Sequence, residues 1–543
     1  MSDEIKFQDP KTESELTIPE DVFPVPNGER DFTIASEKIF PVVGSQKVWF
    51  MRNGRTYEIA TDHGEHRLEV LTKERAVSEL ERIARRTGHR IARLEVDDNK
   101  ETQKVVYRWR TRTMPLGSMD VLLQTEAART YLPPIRLLSS CPVLVEKSGG
   151  CAVLGRGYHD HGGGTYVTAG ALPPVVPFPE AVAALLDIHK EFAFMSEADR
   201  ARAIAVMLSP ALRSGGFIQE DFPLHVAEAT ESQSGKDFMQ KLHSRLYNAI
   251  PSVIVPPKGG VGSLDETISK ALMSGSSFIC LSNFRGRLES AILEAALRGQ
   301  GRVECRALRT SATVDTTPFN WQLSTNGAEF TRDLANRSII TRIRKQPAGY
   351  AFTRFSEGDV VAHVTAKQPY YLGCVFEVIK AWVLLGKLRT DDNRHDFLQW
   401  SRSLDWIVQS FFHLPPLLDG HQEEQQRTGN PSLQWLRDLG LGVIAQGLTG
   451  RPLNATAIAD VSSEVGLTLP GRKDSDGKGC LKVGQLMSTL FKAGREVEAK
   501  TTEIVVDGIT VRRVIRKEYD TSKGEEVTLK EYTFRPGGAA NEQ

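Results

Sequence analysis

A chain of 543 residues, 40% apolar and 25% charged, has the makeup of a globular protein of about three or four domains. Its 68 basic residues balance 68 acidic ones, which argues against a generally basic nucleic-acid coat and leaves room for local basic patches. No window approaches the run of apolar residues that a membrane span needs, so none is expected. The six cysteines are scattered, without a C-x-x-C pair or zinc-like spacing, and suit free thiols in a reducing cytoplasm.

Residues 1–33 are acidic, polar and poor in aromatics, the composition of a disordered leader. The segment 34–130 mixes signals for an α+β domain. KVWFMRNGRTYEIAT (47–61) reads as two strands around an Asn53–Gly54 turn, and LTKERAVSELERIARRTG (71–88) as a helix stopped by Gly88. The Asp97–Asp98 pair sits in a charged stretch and reads as a solvated turn rather than a metal site. From 131 to 216 a small β-rich unit leads into two helices. His159, Asp160 and His161 are expected at a hairpin tip, because successive strand residues point to opposite faces and cannot converge on a metal.

The segment 217–345 carries the chemistry. An apolar run, Leu224 to Ala229, enters a loop of small residues that ends in Gly235–Lys236, and an amphipathic helical pattern follows with Phe238, Met239 and Leu242 on one side. Strand, loop, Gly-Lys, helix is the layout of a phosphate-binding loop, in which backbone N–H groups face a polyphosphate and a lysine reaches its outer oxygens. The candidate cradle is Thr230, Glu231, Ser232, Gln233, Ser234, Gly235, Lys236 and Asp237. The match to G-x-x-x-x-G-K-[S/T] is partial: Thr230 replaces the first glycine and Asp237 the hydroxyl residue. The bland alternative is a strand-to-helix turn with a surface lysine. A helix (262–275) and a buried strand (276–286) ending at the polar pair Ser282–Asn283 come next. A later strand ends at Leu323 and leads into Ser324–Thr325–Asn326–Gly327. The alternation suggests a three-layer α/β core. EFTRDLANRSIITRIRK (329–345) adds a cluster of arginines.

Residues 346–450 look helical, interrupted by a charged, glutamine-rich linker at 419–432. In 451–536, two helical patterns (453–466 and 480–494), a hairpin on Asp507–Gly508 and a last strand make a winged-helix layout. Lys482, Lys492, Arg512, Arg513, Arg516 and Lys517 form the one basic concentration able to follow a phosphate backbone. A protein-docking winged helix is the alternative. Residues 537–543 are a tail.

In this order and spacing, the stretches LLSSCPVLVEKSGG, GRGYHDHGGG, PLHVAEATESQSGKD, ISKALMSGSSFICLSNFRG, WQLSTNGAEFTRDLANRSIITRI and FLQWSRSLDWIV, with the winged C-terminus, resemble the virus-type (superfamily III-like) replicative helicases of phages, prophages and plasmids. These are the ATPase parts of primase–helicase replication proteins, within the AAA+ class of P-loop NTPases. The resemblance implies a motor that uses ATP and Mg2+, works on DNA and assembles as a hexameric ring, with other replication proteins such as a primase as possible partners. It makes Lys236 the β/γ-phosphate lysine and Asn326 the sensor. Arg337 becomes the first choice, and Arg342 the second, for an arginine finger acting on the neighbouring subunit's ATP. Such fingers are worth about 10³–10⁵ in rate. The chain departs from the family in lacking both the hydroxyl after the lysine and the acid ending the second motif strand. With Asp237 and Ser282 at those positions, the expectation is that carboxylate and hydroxyl have exchanged places around magnesium, which needs hard oxygens. Glu231, Glu266 and Asn283 are candidates to orient the attacking water. A DNA-binding initiator or scaffold that keeps the fold but does not hydrolyse ATP is the competing function.

Overall fold

A computed structural model describes the chain apart from residues 1–5, 9–14, 27–31, 63, 100–103, 148–149, 230, 256–261, 299–300, 308–309, 430, 468, 470–478, 492–494, 499–500, 507, 521–524 and 537–543. At its centre lies a six-stranded sheet built from β1 (Ala193–Phe194), β2 (Leu224–Glu228), β3 (Ser252–Ile254), β4 (Phe278–Leu288), β5 (Asn320–Phe330) and β6 (Ser338–Arg344). The spatial order is β1-β6-β2-β5-β4-β3. All neighbours from β6 to β3 are parallel, and β1 closes one edge antiparallel to β6. The parallel strands therefore end along one edge, the edge where open α/β sheets bind ligands.

The sheet is buried on both faces, as a parallel sheet requires. Leu224 and Val226 of β2 belong to one core with Leu281, Leu323, Ile340 and the helix α3 (Leu264–Ser274). Ala227 and Ile339 belong to a second core with α1 (Glu197–Ser214), α2 (Lys236–Leu246) and the helices Gln368–Leu384 and Leu398–Phe412. The hydrophobic effect thus fixes β2 in the middle of the domain and leaves only its ends free for polar work.

Several expectations about the flanking regions hold locally. Asn53 (φ 52°) and Gly54 (φ 74°) both take the left-handed backbone that a two-residue hairpin turn needs. The helix Lys73–Thr87 is capped by the Thr72 hydroxyl and stopped at Gly88. His159 ends one strand of a hairpin whose other strand starts at Thr165.

Others are corrected. Val22–Pro24, inside the expected disordered leader, is a buried strand paired with Arg90–Asn99, and Phe23 stacks on His89 at 4.5 Å. A short apolar run is enough to pin a segment whose average composition is polar. Asp97 and Asp98 lie in that same strand, paired with Val106 and Val105, and not in a turn. The glutamine-rich stretch expected to be a linker forms the helix α4 (His421–Gly429), docked on the β6 side of the core.

The helix Pro431–Ala445 shares its core with the C-terminal unit, through Trp435, Leu436, Leu439 and Val443, so that unit begins before the expected residue 451. It continues with helices Ala455–Glu464 and Gly479–Leu490 and a four-stranded antiparallel sheet, Arg495–Glu498, Thr501–Val506, Ile509–Asp520 and Glu525–Pro536.

Candidate phosphate-binding site

The loop between β2 and α2 leaves the carboxyl edge of the sheet from its most buried strand. Gln233 (φ 62°) and Gly235 (φ 94°) both adopt left-handed backbone, which turns successive N–H groups toward one side. Gly235 is the N-cap of α2 and provides no side-chain cap, so the first-turn N–H groups of the helix have no capping side chain. The Ser234 hydroxyl is buried and has no hydrogen-bond partner. A helix N-terminus without a side-chain cap and an orphaned hydroxyl fit an anion, and a buried polar atom without a partner is costly unless a ligand completes it. Lys236 opens α2 and is buried, whereas Asp237 and the loop residues Glu231 and Ser232 are exposed. Thr230 lies outside the described residues.

Beside this loop the two strands that carry the expected second motif and sensor are irregular. Leu281 pairs with Leu323 and Phe284 with Thr325, so Ser282 and Asn283 together face Ser324. Asn283 takes φ 52° and its N–H donates to Ser324 Oγ at 2.8 Å. The next pair is Gly286 with Ala328, which leaves Asn326 and Gly327 (φ 93°) together opposite residue 285. Neither strand ends where the sequence suggested. Both run on, to Leu288 and Phe330, and the polar residues are consecutive bulges, one in each strand. Bulges re-aim side chains, and these lie where the sheet passes the loop. Asn326 Oδ1 is buried without a partner, a second orphaned atom at the same edge.

The register of α2 over β4 bears on magnesium. Cys280 Sγ donates to Gln240 Oε1 at 3.2 Å, which aligns Gln240 with Cys280. One helical turn back is Asp237 and one strand step on is Ser282, so the two sit at the same level of facing elements, both toward the carboxyl edge. The Cys280 thiol is pushed up to about 12, chiefly by burial and further by the Asp237 charge. Among the described residues no three His, Cys, Asp or Glu side chains converge on a metal position. An aspartate and a hydroxyl still suit Mg2+, which keeps several waters and takes one or two protein oxygens. Glu266 is occupied by Lys270 at 3.2 Å.

The two arginines lie at opposite ends of β6. Arg337 precedes the strand, and its carbonyl accepts the N–H of Leu224, the first residue of β2. At about 3.3 Å per residue, the length of β2 sets it roughly 13 Å from its own loop. Its guanidinium is 2.7 Å from Asp333. Arg342 pairs in register with Glu228, at the loop end, and is held by Glu424 of α4 at 2.7 Å.

A cavity of about 930 Å³ opens beside the loop, lined by Ser234 and Gly235 together with Glu191, Phe192, Phe238 and the stretch 345–353. Sequence reasoning missed it. The stretch QPAGYAFT has no periodicity and lies more than a hundred residues beyond the loop, so only the fold brings the two together. Also missed was a buried histidine group behind the loop: His189 Nε2 lies 2.9 Å from His243 Nε2, and His225 on β2 stacks obliquely near His243. Burial lowers His189 to about 4 and His225 to about 3, so these rings are neutral.

In the C-terminal unit the candidate nucleic-acid residues are divided. Arg512 is paired with Glu503 at 2.8 Å and Arg516 with Glu531 at 3.7 Å, both across strands. Arg513 packs its guanidinium over the Phe491 ring, between sheet and helix. Alternation along the strand puts Arg512 and Arg516 on one face and Arg513 and Lys517 on the other. Lys482 is half-buried on its helix, and Lys492 lies outside the described residues.

No family model and no curated protein matches the chain. Among solved structures it is similar to the C-terminal region of NrS-1 (TM-score 0.30, 9% identity, 81% of this chain and 96% of that one). It is also similar to the SCCmec type IV Cch active helicase (TM-score 0.32, 13% identity, 90% and 92%) and to JCV helicase (TM-score 0.22, 12% identity, 46% and 72%). Likenesses this distant fix neither a family nor an activity.

Proposed function

We propose that the chain is an ATP-driven motor acting on DNA, with the loop 230–237 as its triphosphate site. The observation that carries this reading is the loop itself: left-handed Gln233 and Gly235, an uncapped helix N-terminus and the orphaned Ser234 hydroxyl, all at the carboxyl edge of a parallel sheet. In this reading the loop N–H groups and Lys236 hold the outer phosphates. Asn326, with its unpaired Oδ1, orients the attacking water by accepting from it, with Asn283 alongside. Asp237 and Ser282 face the metal position. Magnesium, when bound, offsets the charge of the phosphate oxygens.

Arg337 is remote from its own loop, so it could act only on a neighbour's triphosphate, which implies a ring of copies, six in the resembled family. Arg342 lies opposite Glu228 at the loop end of β2, with Glu424 holding it. The C-terminal helices and sheet would serve as the winged-helix unit that meets DNA, with Arg516 and Lys517 better exposed for that purpose than Arg513 or Lys482. A primase is the natural partner in the resembled family.

A second reading, a DNA-binding scaffold that keeps the fold without hydrolysis, draws on the missing acid at Ser282 and on the cross-strand pairing of Arg512 and Arg516. Phosphate release from magnesium ATP, measured with and without single-stranded DNA, separates the two. The motor reading expects turnover stimulated by DNA and lost in Lys236→Ala; nucleotide binding without turnover would favour the scaffold.

A further inference from the structure

Glu191 has no part in the phosphate site described so far. It sits in the turn between the helix Phe178–Asp187 and β1, is 9% exposed, and lines the cavity beside the loop. Its backbone carbonyl accepts from Gln346 Nε2 and its Oε1 accepts from the Thr353 hydroxyl, so it fastens the stretch 346–353 over the cavity. Its other oxygen, Oε2, is buried and has no hydrogen-bond partner. A carboxylate oxygen in that position is an acceptor awaiting an N–H donor.

The same cavity offers apolar ring surface. Phe192 lies against Gly235 and 6.3 Å from Phe238, and Tyr350 and Phe352 make an edge-on pair at 4.9 Å. At about 930 Å³ it is large enough for a nucleoside, and Ser234 and Gly235 on its wall make it continuous with the phosphate loop. A flat heteroaromatic base with one outward amino group satisfies both the rings and the orphaned oxygen.

We propose that Glu191 Oε2 reads the nucleobase, accepting the 6-amino group of adenine in the cavity bounded by the Phe192–Phe238 and Tyr350–Phe352 pairs. The inference rests on the triphosphate reading of the loop and adds a base specificity to it. Guanine and hypoxanthine carry an oxygen at position 6, which would set acceptor against acceptor. Guanine's paired N1–H and N2–H donors would need both carboxylate oxygens, and Thr353 already holds one. The competing protein donor is the Tyr350 hydroxyl, whose pKa is raised by desolvation, then by the nearby Glu191 charge and by hydrogen bonding to the Glu191 side chain. Oε2 itself has no hydrogen-bond partner, and adenine's amino group would take the place beside Glu191 that the Tyr350 hydroxyl now occupies.

The test is equilibrium binding of ATP, ITP (the 6-oxo counterpart) and inorganic tripolyphosphate to the full chain in magnesium. The unaltered chain should bind ATP at least ten-fold more tightly than ITP. Glu191→Ala should bring the two within about two-fold and leave tripolyphosphate affinity unchanged, which also shows that the variant is folded. If that variant loses tripolyphosphate as well, the ATP-to-ITP ratio of the unaltered chain decides. Equal affinity of the unaltered chain for ATP and ITP, or a preference that survives Glu191→Ala, overturns the base assignment and leaves the phosphate reading standing. Failure to bind any of the three overturns the phosphate reading, and this inference with it.

Discussion

In the proposed triphosphate site, Asp237 is the residue on which the chemistry turns. An acid directly after the proposed phosphate lysine would repel a triphosphate unless a cation lies between them, and in that reading its level opposite Ser282 would give the cation a place. Asp237→Ala should therefore raise the magnesium concentration needed for half-maximal ATP binding ten-fold or more, with Ser282→Ala shifting it less. An unchanged magnesium titration in Asp237→Ala would remove the residue from the metal position. His189 and His225 make a separate prediction. Their folded pKa values, about 4 and about 3, lie below an unfolded value near 6.5, so below that pH the unfolded chain binds more protons. Their contribution is complete above about pH 6.5 and is lost as pH falls, by up to about 1.4 kcal/mol per unit for each ring. Urea midpoints measured from pH 7 to 5 should fall, and His225→Phe should flatten that slope.

At the scale of elements, the strand and helix on either side of the loop were legible because a buried apolar strand, a small-residue loop and an amphipathic helix follow one another without interruption. The bulges at Ser282–Asn283 and Asn326–Gly327 were not, because they arise from the pairing of two strands about forty residues apart and neither sequence alone shows the extra residue. The helix α4 was missed for a different reason. HQEEQQRTG has almost no apolar face, and what holds it is polar: Glu424 to Arg342, and Gln425 to the Ala335 carbonyl. The Arg342–Glu424 pair is largely shielded from water, so Glu424→Ala should destabilise the domain by about 1–3 kcal/mol in urea unfolding. A change below a few tenths would mean that α4 is held by other contacts.

At the scale of the whole molecule, the sequence reading divided the chain into an N-terminal α+β region, a three-layer α/β core and a C-terminal unit of helices and strands. It misplaced the joints. Val22–Pro24 belongs to the first unit and Pro431–Ala445 to the last, because boundaries follow shared apolar cores and not local composition. The cavity beside the loop is also a property of the whole fold, since residues 191–194, 233–238 and 345–353 meet only when the sheet is assembled.

The central claim is that this assembled edge binds a magnesium triphosphate through Lys236 and its loop. Titration of a fluorescent ATP analogue into the full chain, with magnesium and again with chelator, tests it most directly. The account predicts saturable, magnesium-enhanced binding that falls at least a hundred-fold in Lys236→Ala while the thermal unfolding midpoint of that variant stays within a few degrees. Binding that Lys236→Ala leaves intact, or none at millimolar magnesium, would contradict it.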